Sequence, residues 1–312
     1  MQLTTRLLLT ALISTCWNNS LLQSQSPVPD RLAIQDVCWS PDGKKLAFSV
    51  LYGKADWSDF KPENWQLLVY TLKTKKTQLV ASGAVFAAFS PDGHALAYSK
   101  YRGEGNWDIE IQDLHTGLAH PLTTDSTTRE SGPSWSPDGR HLVFFGGKGE
   151  QRELFVINSD GSGLKQISKA APHKCFNPCW SPNSDRICYY LEKGDHRDQI
   201  YLTDSNGSFH QNLSRDTLHN YYPGWAPENR IIHASNDETL RIMQADGSGK
   251  VILNGVASFY GRIDPKGKKI AYIQKAGPTQ ALALCKFPVR GNVEKLFTLQ
   301  EYKILQAVLE SN

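Results

Sequence analysis

One phrase of thirteen residues, Pro133-Ser-Trp-Ser-Pro-Asp-Gly-Arg-His-Leu-Val-Phe-Phe145, is written six times along this chain with varying fidelity. Earlier copies run Val37-Cys-Trp-Ser-Pro-Asp-Gly-Lys-Lys-Leu-Ala-Phe48 and Ala87-Ala-Phe-Ser-Pro-Asp-Gly-His-Ala-Leu-Ala-Tyr98. Later ones run from Pro178 to Tyr189, from Pro223 to His233 and from Gly261 to Tyr272. Their aligned prolines, Pro41, Pro91, Pro137, Pro182, Pro227 and Pro265, are 50, 46, 45, 45 and 38 residues apart. A repeat of this length cannot bury its apolar face alone, so it commits the chain to an architecture of stacked, similar units.

The physical content of each copy is a β-hairpin. An aromatic residue ends one strand, then Ser-Pro-Asp-Gly reverses the chain. Proline presets φ, aspartate bonds back to the backbone, and glycine accepts a positive φ. Alternating apolar residues such as Leu46, Ala47 and Phe48 begin the next strand. A second hairpin follows in most copies, turning at Asp160-Gly-Ser-Gly163, Ser205-Asn-Gly-Ser208 or Asp246-Gly-Ser-Gly249. These glycine turns lack the acidic ladder of a calcium loop and the following helix of a phosphate loop.

Four strands per copy and six copies predict an all-β fold, a six-bladed β-propeller of four-stranded antiparallel blades. The blades are expected at about 31–82, 83–128, 129–172, 173–218, 219–256 and 257–300. Trp39, Phe89, Trp135, Trp180, Trp225 and Ile263 are expected between blades as packing. The tail at 301–312 is open to either a further strand or a helical turn.

Residues before the first repeat differ in kind. Arg6 precedes the apolar run Leu7–Ile13, and a polar, proline-containing spacer follows. This reads as a secretory leader over residues 1–26, too short to span a bilayer comfortably. The mature chain is therefore expected to be exported, periplasmic or extracellular, with no membrane span. A degenerate lipobox at Ile13–Cys16 adds the option of a lipid anchor on Cys16. A formal net charge of +3 gives no reason to expect nucleic acid as a partner. The six cysteines do not form a metal pattern. Cys38 and Cys179 hold the same place in repeats one and four and should lie across the ring from each other. Cys175 and Cys179 are the one local pair to test as a disulfide.

The Trp-Ser-Pro-Asp-Gly phrase followed by Lys or Arg and Leu-Ala-Phe, with Asp-Gly-Ser-Gly hairpins between, resembles the TolB-type propeller repeat over residues 31–299. The likeness weakens where Asn183-Ser184, Glu228-Asn229 and Lys266-Gly267 replace Asp-Gly. It implies the propeller without the α/β domain that precedes it in TolB, because about 30 residues stand before the first repeat. It also implies a role in the cell envelope, where TolB binds a lipoprotein at one propeller face.

Propellers bind at the mouths of the central channel, on loops held rigid by the sheets. The segments entering each innermost strand supply Arg129, Glu130, Lys174, Phe176, Asn177, Asn220, Tyr221, Tyr222, Phe259 and Tyr260. Tyrosine, other aromatics and arginine are typical anchors of protein interfaces. This rim is read as the surface for a protein partner, an envelope protein of unknown identity, on a monomeric propeller. The insert at 51–64, with Tyr52, Trp57 and Phe60, is a second candidate surface. No Gly-x-Ser-x-Gly elbow, His-Glu-x-x-His pair or phosphate loop is present, so no catalytic residue, cofactor or metal is expected. The alternative is a propeller enzyme or ligand binder for saccharide or peptide, for which His173 and His219 stand nearest the channel.

Overall fold

The computed structural model describes residues 30–310 apart from 55, 57, 183–185, 195–196, 277–278 and 288–289. The expected leader, Cys16 and Trp57 lie outside the described residues. Among those described, no helix is long and apolar enough to cross a membrane.

Each sequence repeat becomes an antiparallel meander. The first is β1 (Asp30–Trp39), β2 (Lys45–Lys54), β3 (Gln66–Thr71) and β4 (Lys76–Ser82). The second is β5 (Ala84–Phe89), β6 (Ala95–Gly103), β7 (Asn106–Asp113) and β8 (Ala119–Pro121), and the third is β9 (Arg129–Trp135), β10 (His141–Gly147), β11 (Glu153–Asn158) and β12 (Lys165–Gln166). The fourth is β13 (Lys174–Trp180), β14 (Arg186–Glu192), β15 (Gln199–Asp204) and β16 (Gln211–Asn212). The remainder is β17 (Asn220–Ala226), β18 (Arg230–Ser235), β19 (Thr239–Gln244), β20 (Val251–Ile263), β21 (Lys269–Ala276), β22 (Thr279–Lys286) and β23 (Arg290–Phe297). The tail folds as helix α1 (Leu299–Glu310), which settles the open choice there.

The expectation of six separate blades is corrected by the hydrogen bonding. The described strands form a ring of four sheets: β1–β4, β5–β12, β13–β16 and β17–β23. Two local events merge what the sequence keeps apart. Trp107 of β7 pairs in parallel with Arg129 of β9 and joins two repeats into one eight-stranded sheet. The chain runs on extended through the expected blade boundary at 256–257, so β20 is one strand that pairs with β19 at its start and β21 at its end. Strands β1, β5, β9, β13, β17 and β20 touch in that order, and β20 returns to β1.

The Ser-Pro-Asp-Gly turns fold as their chemistry dictates. In the first, Ser40 Oγ donates to Asp42 Oδ1 at 2.7 Å and accepts the Lys45 N–H at 2.9 Å, while the Lys44 N–H bonds Asp42 Oδ1 at 3.0 Å. Gly43 sits at φ +70, and a Cβ there would meet the ring of Pro265, the turn proline of the last repeat. Gly93 faces Pro41 in the same way, so the turns lean on one another around the ring.

The expected packing role of the hairpin aromatics holds. Trp39, Phe89, Trp180, Trp225 and Ile263 are buried, and Trp135 is partly buried against the same packing. The indole N–H groups add stitching: Trp39 donates to the Arg262 carbonyl at 2.9 Å, Trp135 to that of Ala88 at 3.2 Å and Trp225 to that of Cys179 at 2.8 Å. A buried indole usually finds such a partner; Trp180 Nε1 is buried without one among the described residues.

His233, on β18, is 2% exposed and lies near Asp216, Arg241 and Lys250. Burial disfavours its charged form and pushes its pKa from 6.5 down to about 4. As pH falls through 6.5 the unfolded chain takes up this proton and the folded chain does not, so stability is lost until about pH 4. The loss should be about 3 kcal/mol. Urea unfolding at pH 7 and pH 4 checks this: the wild type should lose about 3 kcal/mol more than His233→Gln over the interval. Equal losses in the two proteins would remove His233 from the account.

Candidate functional site: the inner strands and their mouth

Every inner strand carries an irregularity in its pairing just before the aromatic. Register shifts fall between Ile34 and Val37, Val85 and Ala88, Phe176 and Cys179, Tyr221 and Gly224, and Ser258 and Gly261. In β9 the shift is read on its partner, between Val143 and Phe145. Bulges of this kind bend a strand and re-aim its side chains. Phe86, Asn177 and Tyr222 take positive φ there, of 55°, 46° and 53°. The result is a level at which Gln35, Ser131, Phe176, Tyr221 and Phe259 keep partial exposure on strands that are otherwise mostly buried.

The aromatic part of the predicted rim is therefore real as a cluster, but it divides in two. Phe176, Tyr221 and Phe259 are partly exposed, whereas Tyr222 and Tyr260 are 4% and 6% exposed. Ring contacts run from Phe145 to Phe176 (5.1 Å), on to Tyr190 (5.3 Å), Tyr222 (5.9 Å) and Tyr260 (5.1 Å), with Tyr221 against Tyr222 at 5.2 Å. The inner members of this chain hold the inner strands together, and the outer ones present ring surface.

The polar rim residues also separate by role. Asn220 is fully buried; its Nδ2 donates to Asp216 Oδ1 at 2.7 Å and its Oδ1 accepts the Ser235 hydroxyl at 2.7 Å. Asn177 is buried at the bulge of β13, with φ +46. Glu130 is buried, accepts the Thr128 hydroxyl at 2.6 Å, and has its carboxyl pushed up by burial. Arg129 and Lys174 remain partly exposed at the starts of β9 and β13. Lys174 Nζ is 3.2 Å from Glu150 Oε2, and the Arg129 guanidinium lies close against Gly105, where a Cβ would meet it at 2.9 Å.

At the second candidate surface Tyr52 and Phe60 are partly exposed. Tyr52 stacks on Tyr302 of α1 at 5.2 Å, with Lys303 above its ring. Phe60 packs against Ala33, Leu51, Trp65 and Val85. His219 Nδ1 is 3.3 Å from Asp198 Oδ2, and His173 is partly buried ahead of β13. Among the described residues no three His, Cys, Asp or Glu side chains are grouped to hold a metal ion.

Sequence reasoning missed the next level down. The residue before each aromatic (Cys38, Ala88, Ser134, Cys179, Gly224, Arg262) faces its neighbours around the axis. Ser134 Oγ accepts the Trp180 N–H at 3.1 Å. Arg262 reaches across Gly224, where a Cβ would lie 2.7 Å from its Nε, and donates from Nη1 to the Tyr222 carbonyl and from Nη2 to the Tyr260 hydroxyl. Its guanidinium also sits over the Tyr260 ring at 4.2 Å. Arg262 acts on both Cys38 and Cys179, although burial dominates at Cys38 and holds that thiol up at about 12. The signal was present: these six residues occupy one column once the repeats are aligned.

Antiparallel four-stranded units closed around a common axis define a β-propeller. The profile of the TolB beta propeller domain family matches residues 37–258, more than half of the chain, and the chain belongs to that family. Among solved structures it is similar to TolB from Acinetobacter baumannii, at 16% identity and a TM-score of 0.62, covering 92% of this chain and 68% of that one. It is similar to oligogalacturonate lyase from Vibrio parahaemolyticus at 14% identity and a TM-score of 0.58, covering 88% and 80% of the two chains. It is also similar to the propeller domain of the Trilobed protease from Pyrococcus furiosus, described as having an open velcro topology, at 14% identity and a TM-score of 0.56, covering 86% and 98%. At these identities the likeness is one of fold.

Proposed function

We propose that this chain is an exported, non-catalytic interaction propeller that holds a protein partner at the mouth where its inner strands begin. The observation that carries this reading is the set of partly exposed rings of Phe176, Tyr221 and Phe259 on rigid inner strands, with Arg129 and Lys174 at the same mouth. Aromatic and arginine side chains on a fixed scaffold lose little conformational freedom on binding. Membership of the TolB propeller family supports it, and the basic, apolar start of the sequence supports export.

The test begins with a partner captured from envelope extract on residues 30–310 and then purified. It should bind wild-type protein directly. Tyr221→Ala with Phe259→Ala, and separately Arg129→Glu with Lys174→Glu, should each weaken binding by about tenfold or more, roughly 1.4 kcal/mol. Circular dichroism should show the wild-type β signature, with a lower melting temperature in the aromatic pair, whose rings pack partly against the core; the charge-reversal pair carries no such packing loss and is the cleaner reading. Unchanged affinity in both double variants would place the binding surface elsewhere. Asn220 and Tyr222 are unsuitable probes, since both are structural.

A further inference from the structure

The sequence offered Cys175 and Cys179 as a local pair, and the structure separates them. They lie four positions apart on β13, about 13 Å along a strand, whereas a disulfide requires Cα atoms within about 7 Å. Cys175 is fully buried and its Sγ lies 3.7 Å from Ser168 Oγ. The thiol that Cys179 meets is a different one. Cys179 and Cys188 are directly opposed in the register of β13 with β14. Opposed residues of antiparallel strands point to the same face, with Cα atoms about 4.5–5.5 Å apart, inside the range that a disulfide spans.

We propose that Cys179 and Cys188 are a reactive dithiol that closes into a cross-strand disulfide by exchange with a low-molecular-weight disulfide. Three further observations favour it. As opposed neighbours in that register, each thiol acts electrostatically on the other. The Cys188 thiol beside it, with Arg262 nearby, favours the Cys179 thiolate and lowers its pKa, while burial and the Cys179 neighbour raise that of Cys188. Cys179 is also the partly exposed member, while Cys188 is fully buried. The geometry thus assigns attack to Cys179 and resolution to Cys188. Cys38, the other thiol at this level, has neither a thiolate-stabilising partner of this kind nor a cysteine opposite it, since its β2 partner is Ala47.

The exchange balances in two steps. The Cys179 thiolate attacks one sulfur of the reagent disulfide, forms a mixed disulfide and expels one thiolate, which takes a proton from water. Cys188 then loses its proton to solvent and attacks Cys179 Sγ, expelling the second reagent thiol. The protein loses two protons and two electrons, and the reagent disulfide becomes two thiols.

The probe is 2-hydroxyethyl disulfide, small enough to follow solvent inward, applied to the folded chain after full reduction. The oxidised protein should be about 2 Da lighter by intact mass, as loss of two hydrogens requires. Acid proteolysis should recover one linked peptide pair carrying Cys179 and Cys188. Cys188→Ser should instead retain a single mercaptoethanol adduct on Cys179, and Cys179→Ser should show neither product at these positions. Because the mass and peptide readings use wild-type protein, poor folding of a variant does not blunt the test. Two alkylatable thiols at 179 and 188 after oxidation, or a link through Cys175 or Cys38, would overturn the assignment.

Discussion

Replacing Asp36 with alanine should cost this fold about 4 kcal/mol. Asp36 is 1% exposed and sits at the bulge of β1. Its two oxygens accept buried backbone N–H groups from two different repeats: Ser49 on β2 at 3.1 Å and Ala87 on β5 at 3.0 Å. Alanine leaves both donors without a partner in a site closed to water, and each orphaned buried group costs about 1–3 kcal/mol. Asparagine keeps one acceptor oxygen and should cost about half as much. Burial raises the Asp36 pKa, so the wild type loses stability as pH rises through its folded value. The penalty for Asp36→Asn should therefore shrink with rising pH. Equilibrium urea unfolding of the three proteins reads all of this, and an alanine variant within about 1 kcal/mol of wild type would contradict it.

Phe297→Ala should cost a similar amount, about 3–5 kcal/mol, for a different reason. Phe297 ends β23, is 1% exposed, and meets Phe48 of β2 edge-on at 5.0 Å. It belongs to a core shared by Leu32, Ile34, Phe48 and Val50 from the first repeat and Leu282, Leu284 and Leu296 from the last. Truncation empties a ring-sized volume at the junction between the two ends of the described chain. Phe144→Ala is the control, since Phe144 is equally buried but stacks on Phe155 within one repeat. Both variants should melt lower, and only Phe297→Ala should speed hydrogen exchange in β1. Equal exchange in the two would mean that this junction does not depend on the Phe48–Phe297 contact.

The legible part of the fold was everything set by local chemistry. The six turn motifs placed their strands to within a few residues, because proline, aspartate and glycine act on backbone angles and need no tertiary help. Sheet count was not legible. Whether β20 breaks or runs on, and whether Trp107 pairs with Arg129, depends on the approach of neighbouring units, which no repeat encodes by itself. At the mouth, the sequence could place Phe176, Tyr221, Tyr222, Phe259 and Tyr260 on one level. It could not separate those that present a face from those that bury it, because that depends on rings from neighbouring repeats, as where Tyr190 and Tyr260 close over Tyr222. The cysteines show the same limit. Nearness along the chain suggested Cys175 as the partner of Cys179, but pairing across strands decided for Cys188.

The junction that Phe297 fills has a kinetic meaning. Strands β1 to β4 and β21 to β23 each pair within their own sheet, so among the described residues no strand crosses between the first and last repeats. The contact is made by side chains and single bonds such as the Ile34 N–H to Gln280 Oε1, between residues 246 apart. Closing a loop that long costs little more than closing one half its size, about 0.6 kcal/mol per doubling. It is slow, however, because all the intervening units must first be in place. The ring is therefore expected to assemble as an open arc whose neighbours zip locally, so that refolding monitored by pulsed hydrogen exchange should protect this junction after the hairpins within each repeat.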